Sequence, residues 1–173
     1  PPDASAHPEA KRAVEEADLI IFGPGSLFTS IVPNLLVREI AEAVADAGAL
    51  KMYVCNVAGQ PGETAGFSIL DHVDVIRYYA GDLSVNIVIA NNKLPQGQLS
   101  HSADLIEPEV AWRDPAVCVL DDIIDDENPT HHDPAKLAAT VTATYRKYRG
   151  KRRRLPLQWH SLRGPTQPGG SES

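Results

Sequence analysis

A chain of 173 residues with 43% hydrophobic and 23% charged side chains can bury one sizeable core, which excludes a wholly disordered protein. It has no apolar run of about 18 residues and no basic segment leading into an apolar one, so neither a membrane-spanning helix nor a signal peptide is read and the cytoplasm is expected. The net charge of −7 hides a split: residues 1–145 carry 22 acidic and 8 basic side chains, whereas residues 146–173 carry 1 acidic and 8 basic. The acidic body repels nucleic acid, while the basic end reads either as a solvated terminus, as a contact for RNA or anionic membrane, or as a segment folding back on that body.

Residues 1–7 read as a connector, and Pro8 at a first helical position followed by good helix formers predicts a helix over residues 8–17. Leu19-Ile20-Ile21-Phe22 is short, β-prone and bounded by turn residues, the pattern of a parallel strand buried on both faces. It breaks into Gly23-Pro24-Gly25-Ser26, where two glycines allow close backbone approach to a ligand. Ser26, Thr29 and Ser30 add hydroxyl donors where a following helix would leave N–H groups unpaired, a geometry suited to phosphate. The same strand, turn and cap also occur with no ligand at all, and the pattern is neither a P-loop nor Gly-x-Gly-x-x-Gly.

Ile31, Leu35, Leu36, Ile40 and Val44 then recur at helical spacing as far as Ala47-Gly48, with Pro33 near the start of that helix. Residues 52–57 predict a second strand parallel to the first. Its exit, Asn56-Val57-Ala58-Gly59-Gln60-Pro61-Gly62-Glu63-Thr64, is a second polar glycine loop, and Ser68-x-x-Asp71 opens a helix through Ile69, Leu70, Val73 and Ile76. Both loops leave the carboxyl ends of parallel strands and so share the rim where open α/β sheets bind ligands. Residues 86–92 and 116–120 predict the third and fourth strands, with an unassigned excursion over residues 93–114 between them. An acidic loop with His131, His132 and Asp133 follows, then a helix over residues 134–148 and a basic tail over residues 149–173.

Glu63 reads as a general base, as an acceptor for ligand hydroxyls or as a helix-start stabiliser. Asn34, Asn56, Gln60 and Asn91 either read a sugar or base edge or cap local backbone. The acidic loop with His131 and His132 either holds a divalent cation or is solvated, and its spacing matches no defined metal site. Cys55 and Cys118 read as buried apolar thiols, not as a disulfide or a nucleophile. No Ser-His-Asp constellation is read from spacing, so no catalytic residue is assigned.

The stretch Ala17-Asp18-Leu19-Ile20-Ile21-Phe22-Gly23-Pro24-Gly25-Ser26-Leu27-Phe28-Thr29-Ser30, with Val54-Cys55-Asn56-Val57, Gln60-Pro61-Gly62-Glu63-Thr64-Ala65-Gly66-Phe67 and Asp71-His72, resembles the YvcK/CofD-like family in its YvcK, or gluconeogenesis factor, branch. The resemblance runs over residues 1–137 and implies a three-layer α/β/α Rossmann-like fold over residues 1–148. It implies a cytoplasmic regulator, linked to cell shape, cell wall and carbon metabolism, that binds a UDP-sugar such as UDP-N-acetylglucosamine. The implied contacts are Gly23, Pro24, Gly25, Ser26, Thr29, Ser30, Asn34, Asn56, Gln60, Gly62, Glu63, Thr64 and His131. The sister CofD branch implies an alternative, a magnesium-dependent transfer of a phospholactyl group from a nucleotide-diphosphate donor to a deazaflavin. Two departures stand out. The family's first-strand Gly-Gly-Gly-Thr-Gly loop is absent, so the chain resembles a carboxyl-terminal portion whose missing half a second copy or a partner would supply. The family's Arg-His-Asp reads His131-His132-Asp133 here, replacing a forked permanent charge with a titratable ring.

Overall fold

The structure, a computed structural model, describes residues 4–80, 85–94, 105–108 and 112–150. The segment 151–173, most of the predicted basic tail, and much of the unassigned excursion lie outside the described residues. Four strands, β1 (Leu19–Phe22), β2 (Leu50–Val54), β3 (Ile87–Asn91) and β4 (Val117–Asp121), form one sheet in the order β1-β2-β3-β4 with every pairing parallel. Each predicted strand is present: β1 has its predicted bounds, β3 and β4 differ by one residue at each end, and β2 starts two residues and ends three residues earlier than predicted.

Alternation along the strands divides the core in two. On one face Phe22, Tyr53, Val88 and Ala90 pack with Leu27, Ile31, Leu35, Val44, Ile69, Val73 and Ile76. Those partners come from a π-helical turn (Leu27–Ile31) and from helices α2 (Val32–Leu35), α3 (Arg38–Asp46) and α4 (Ile69–Ala80). On the other face Leu50, Met52, Ile87 and Ile89 pack against Leu137, Val141, Tyr145 and Tyr148 of α5 (Pro134–Tyr148). The result is the expected three-layer α/β/α arrangement. Each fully buried isoleucine or methionine contributes about 1.5–3 kcal/mol over its exposed state, so the two central strands dominate cohesion.

β1 departs from its predicted burial. Among the described residues it has a neighbour on one side only, and Ile21, in register with Met52 on the α5 face, is 42% exposed. α5 covers Leu50 and Met52 but reaches only Leu19 of β1. Cys118, on the opposite edge strand, is likewise half-buried, while Cys55 is fully buried as predicted.

Local capping follows the sequence. α1 (Pro8–Glu15) begins at His7, whose ring nitrogen accepts from the Glu9 amide, with Pro8 at the start of the helix. Ser68 and Asp71 bond reciprocally, the Asp71 amide to the Ser68 hydroxyl at 3.2 Å and the Ser68 amide to the Asp71 carboxylate at 2.8 Å, which fixes the entry to α4. Asp133 accepts from the Ala135 and Lys136 amides, both at 2.8 Å, and starts α5. Arg77 of α4 holds Asp114 through two hydrogen bonds between nearly buried side chains, tying the helix to the chain entering β4.

Candidate functional site

Because all four strands are parallel, the loops after β1 and β2 leave the same rim. The strand order runs without reversal, so within the described sheet the candidate site rests on that rim and not on a switch-point crevice. Gly23 has φ +83° and its missing Cβ would lie 2.9 Å from the Val54 carbonyl oxygen, so only glycine lets the first loop press against the end of β2. The Gly23–Pro24 peptide is cis. Three contacts then join the loops: the Asn56 amide donates to the Gly25 carbonyl at 3.2 Å, the Ser26 hydroxyl donates to Glu63 at 2.5 Å, and Phe28 meets Phe67 edge-on with centroids 6.3 Å apart.

The helix predicted after the first loop is broken. Ser26 caps a π-helical turn, in which the Ile31 amide reaches back to the Ser26 carbonyl at 3.1 Å. Pro33 has no amide to carry that ladder on, and the chain restarts as the one-turn α2 before breaking again at Leu36 and Val37. Leu36 is consequently 61% exposed instead of lying on the core face its spacing predicted. So short a helix gives little of the aligned dipole on which a helix-end anion site depends.

Several predicted contacts keep local work. Asn34 donates to the Ser30 carbonyl at 2.6 Å, the capping role. Asn91 donates to the Lys93 carbonyl and is buried. Thr64 is fully buried and its hydroxyl accepts from the Gln60 amide at 3.0 Å, so it shapes the second loop from inside and offers no surface to a ligand. Gly25, Ser26, Asn56, Gln60 and Glu63 are partly exposed, and Pro24, Thr29, Ser30 and Gly62 are exposed on the rim.

His131 is exposed and its ring faces the hydroxyl of Thr130. The neighbouring ring reaches the rim instead: His132 donates through Nε2 to the Cys55 carbonyl at 3.1 Å, at the exit of β2. Burial holds His132 below the usual imidazole range, so it stands there as a neutral donor. Sequence reasoning chose His131 by motif position, and the antiparallel bridge between Ile124 and His132, invisible in the sequence, decides which ring turns inward.

The acidic loop is spent internally. Asp122 and Asp126 both pair with Lys93 and Lys136 at 2.7–3.1 Å, and the hydrogen bonds from those lysines hold the Asp126 carboxyl below its usual range. Among the described residues no group of three or more His, Cys, Asp or Glu side chains is placed to hold a metal ion. An open groove of about 270 Å³ lies between α1 and α3, but Glu15, Glu39, Glu42 and Asp46 line it and would repel a phosphate.

Comparison with known proteins places this rim in context. Residues 1–124 match the family profile described as 2-phospho-L-lactate transferase CofD. The chain belongs to the CofD family. A “Putative gluconeogenesis factor” of Aquifex aeolicus is 38% identical over 149 residues, covering 82% of this chain and 45% of that protein. The gluconeogenesis factor of Bacillus subtilis is 48% identical over 86 residues, covering 50% of this chain and 27% of that protein. A crystal structure of a UPF0052 family member from Bacillus halodurans superposes with a TM-score of 0.73 at 29% identity, covering 82% of this chain and 48% of that one. This CofD-family chain therefore spans about half the length of the relatives it matches, or less. Among its described residues no helix is long and apolar enough to cross a membrane.

Proposed function

We propose that this CofD-family chain binds the diphosphate of a sugar nucleotide, of the UDP-N-acetylglucosamine type, on the rim formed by residues 23–30 and 56–63, and acts as a regulator of the gluconeogenesis factor kind. The observation that carries the reading is the joining of two polar glycine loops at the carboxyl ends of adjacent parallel strands, through Asn56 to Gly25 and Ser26 to Glu63. Gly23 allows the close approach, Ser26, Thr29 and Asn56 bring short polar side chains, and His132 sets a neutral ring beside them. The relatives named as gluconeogenesis factors support the regulatory role. Further contacts to the nucleotide would come from the part of the fold that the relatives carry beyond this match.

Calorimetric titration of UDP-N-acetylglucosamine into the chain tests the reading. Saturable binding that Gly25→Val abolishes is expected; heat indistinguishable from dilution refutes it. The matched profile's description favours one alternative, phospholactyl transfer from a nucleotide-diphosphate donor. Magnesium-dependent consumption of such a donor would select that alternative.

A further inference from the structure

Two of the three hydroxyl groups that make the first loop attractive to phosphate, those of Ser26 and Thr29, are already committed. The Thr29 hydroxyl donates to Ser26 Oγ at 2.6 Å, the Thr29 amide donates to the same oxygen at 3.3 Å, and the Ser26 hydroxyl donates to Glu63 Oε2 at 2.5 Å. A serine hydroxyl has one proton and two lone pairs, so Ser26 is saturated, and its only proton faces a carboxylate from the second loop. The geometry admits no further acceptor at Ser26 while Glu63 stays. Among the described residues the Glu63 side chain makes no other hydrogen bond, and Gly62 and Gly66 on either side of it have φ +79° and +75° with nothing within 4 Å of an added Cβ.

We propose that Glu63 is a resident anion that holds the donors of the first loop in the ligand-free protein, and that a diphosphate binds by exchanging with it. This rests on the diphosphate reading above and adds its regulation. A carboxylate and a phosphate oxygen accept the same kind of hydrogen bond, and two anions cannot share one donor array without repulsion. Displacement of Glu63 releases residues 60–67 from the first loop, so occupancy of the rim is converted into a change in the position of the second loop, and with it of Phe67 and its edge-on contact with Phe28. A neutral ligand, with no charge to compete, leaves the latch closed.

The test compares wild type with Glu63→Gln and Ser26→Ala, using inorganic pyrophosphate and uridine diphosphate as calorimetric probes and hydrogen exchange at the amides of residues 62–67 as a second readout. Glu63→Gln removes the competing charge, and about tenfold tighter binding of both probes is expected, the effect of one nearby charge at a solvated site. Faster exchange over residues 62–67 is expected in both variants without probe. Ser26→Ala frees the loop but leaves the carboxylate, so its exchange rises while probe affinity does not. Equal or weaker binding by Glu63→Gln overturns the proposal and leaves the diphosphate reading standing, because Glu63 would then be a ligand contact. Unchanged exchange in both variants overturns the latch itself. Binding of neither probe to wild type or Glu63→Gln overturns both readings.

Discussion

Replacing Gly23 by alanine should be the costliest of the loop glycine substitutions, and its size follows from two separable effects. With φ +83°, an alanine sits in the left-handed region at a cost of about 1–2 kcal/mol. Its Cβ would also lie 2.9 Å from the Val54 carbonyl oxygen, a backbone atom at the end of β2 that the pairing of Val54 with Ile89 holds in place, which adds about 1–2 kcal/mol of overpacking. Loss of unfolded-chain entropy offsets about 0.5 kcal/mol, leaving a net destabilisation of about 1.5–3.5 kcal/mol. Gly62 provides the control, since it has φ +79° with nothing within 4 Å of the added Cβ, so only the backbone effect remains, about 1 kcal/mol. Gly25 has ordinary backbone and a Cβ contact of 3.4 Å to Ser30, and Gly25→Ala should change stability by less than about 1 kcal/mol. Urea unfolding followed by circular dichroism measures all three at constant m-value; in melting temperature the Gly23 variant should fall by about 3–14 °C. A Gly23→Ala loss no larger than that of Gly62→Ala would refute the claim that the first loop is pressed against β2.

Breaking the Arg77–Asp114 pair with Arg77→Met leaves a nearly buried carboxylate without its two donors, and urea unfolding should show a loss of about 3 kcal/mol; a loss under about 1 kcal/mol would show the pair is solvated. His72 is fully buried and burial holds it, like His132, below the usual imidazole range. The unfolded chain then binds more protons, so stability should decline as pH drops through about 6.5, each ring contributing a slope of up to about 1.4 kcal/mol per pH unit until its folded-state pKa is reached. Chemical denaturation between about pH 7.5 and 5.5 checks this, with His72→Gln/His132→Gln flattening the profile; parallel profiles would contradict it. Burial pushes the Cys55 thiol up to about 12, so iodoacetamide at neutral pH should label Cys55 only after unfolding, as read by mass spectrometry. Labelling of the native protein there would contradict its place in the core.

The sheet was legible because β2 and β3 are buried on both faces, which leaves the apolar runs Met52-Tyr53-Val54-Cys55 and Ile87-Val88-Ile89-Ala90; the buried Lys51 carries no such signal, and the predicted second strand starts one residue after it. The capping pair Ser68 and Asp71 and the start of α5 at Asp133 were legible for a similar reason, since they act within four residues. β1 misled because its composition matches a central strand, whereas its exposure depends on what pairs beyond it. The helix over residues 31–47 misled because Ile31, Leu35 and Ile40 do hold helical spacing across breaks that only the hydrogen-bond ladder reveals. At the rim, residue types identified the loops but not their state. That Thr64 points inward, that His132 and not His131 reaches Cys55, and that Glu63 holds Ser26 are all consequences of contacts between segments 30 or more residues apart, or of a loop's own folding, which spacing does not encode.

Isotope-labelled protein titrated with UDP-N-acetylglucosamine and followed amide by amide is the most direct test of a two-loop anion rim. Concerted, saturable shifts at Gly25, Ser26, Thr29 and Asn56, with residues 62–67 moving at the same midpoint, are the predicted result. Shifts confined to one loop, or found only along the carboxylate-lined groove between α1 and α3, would contradict it.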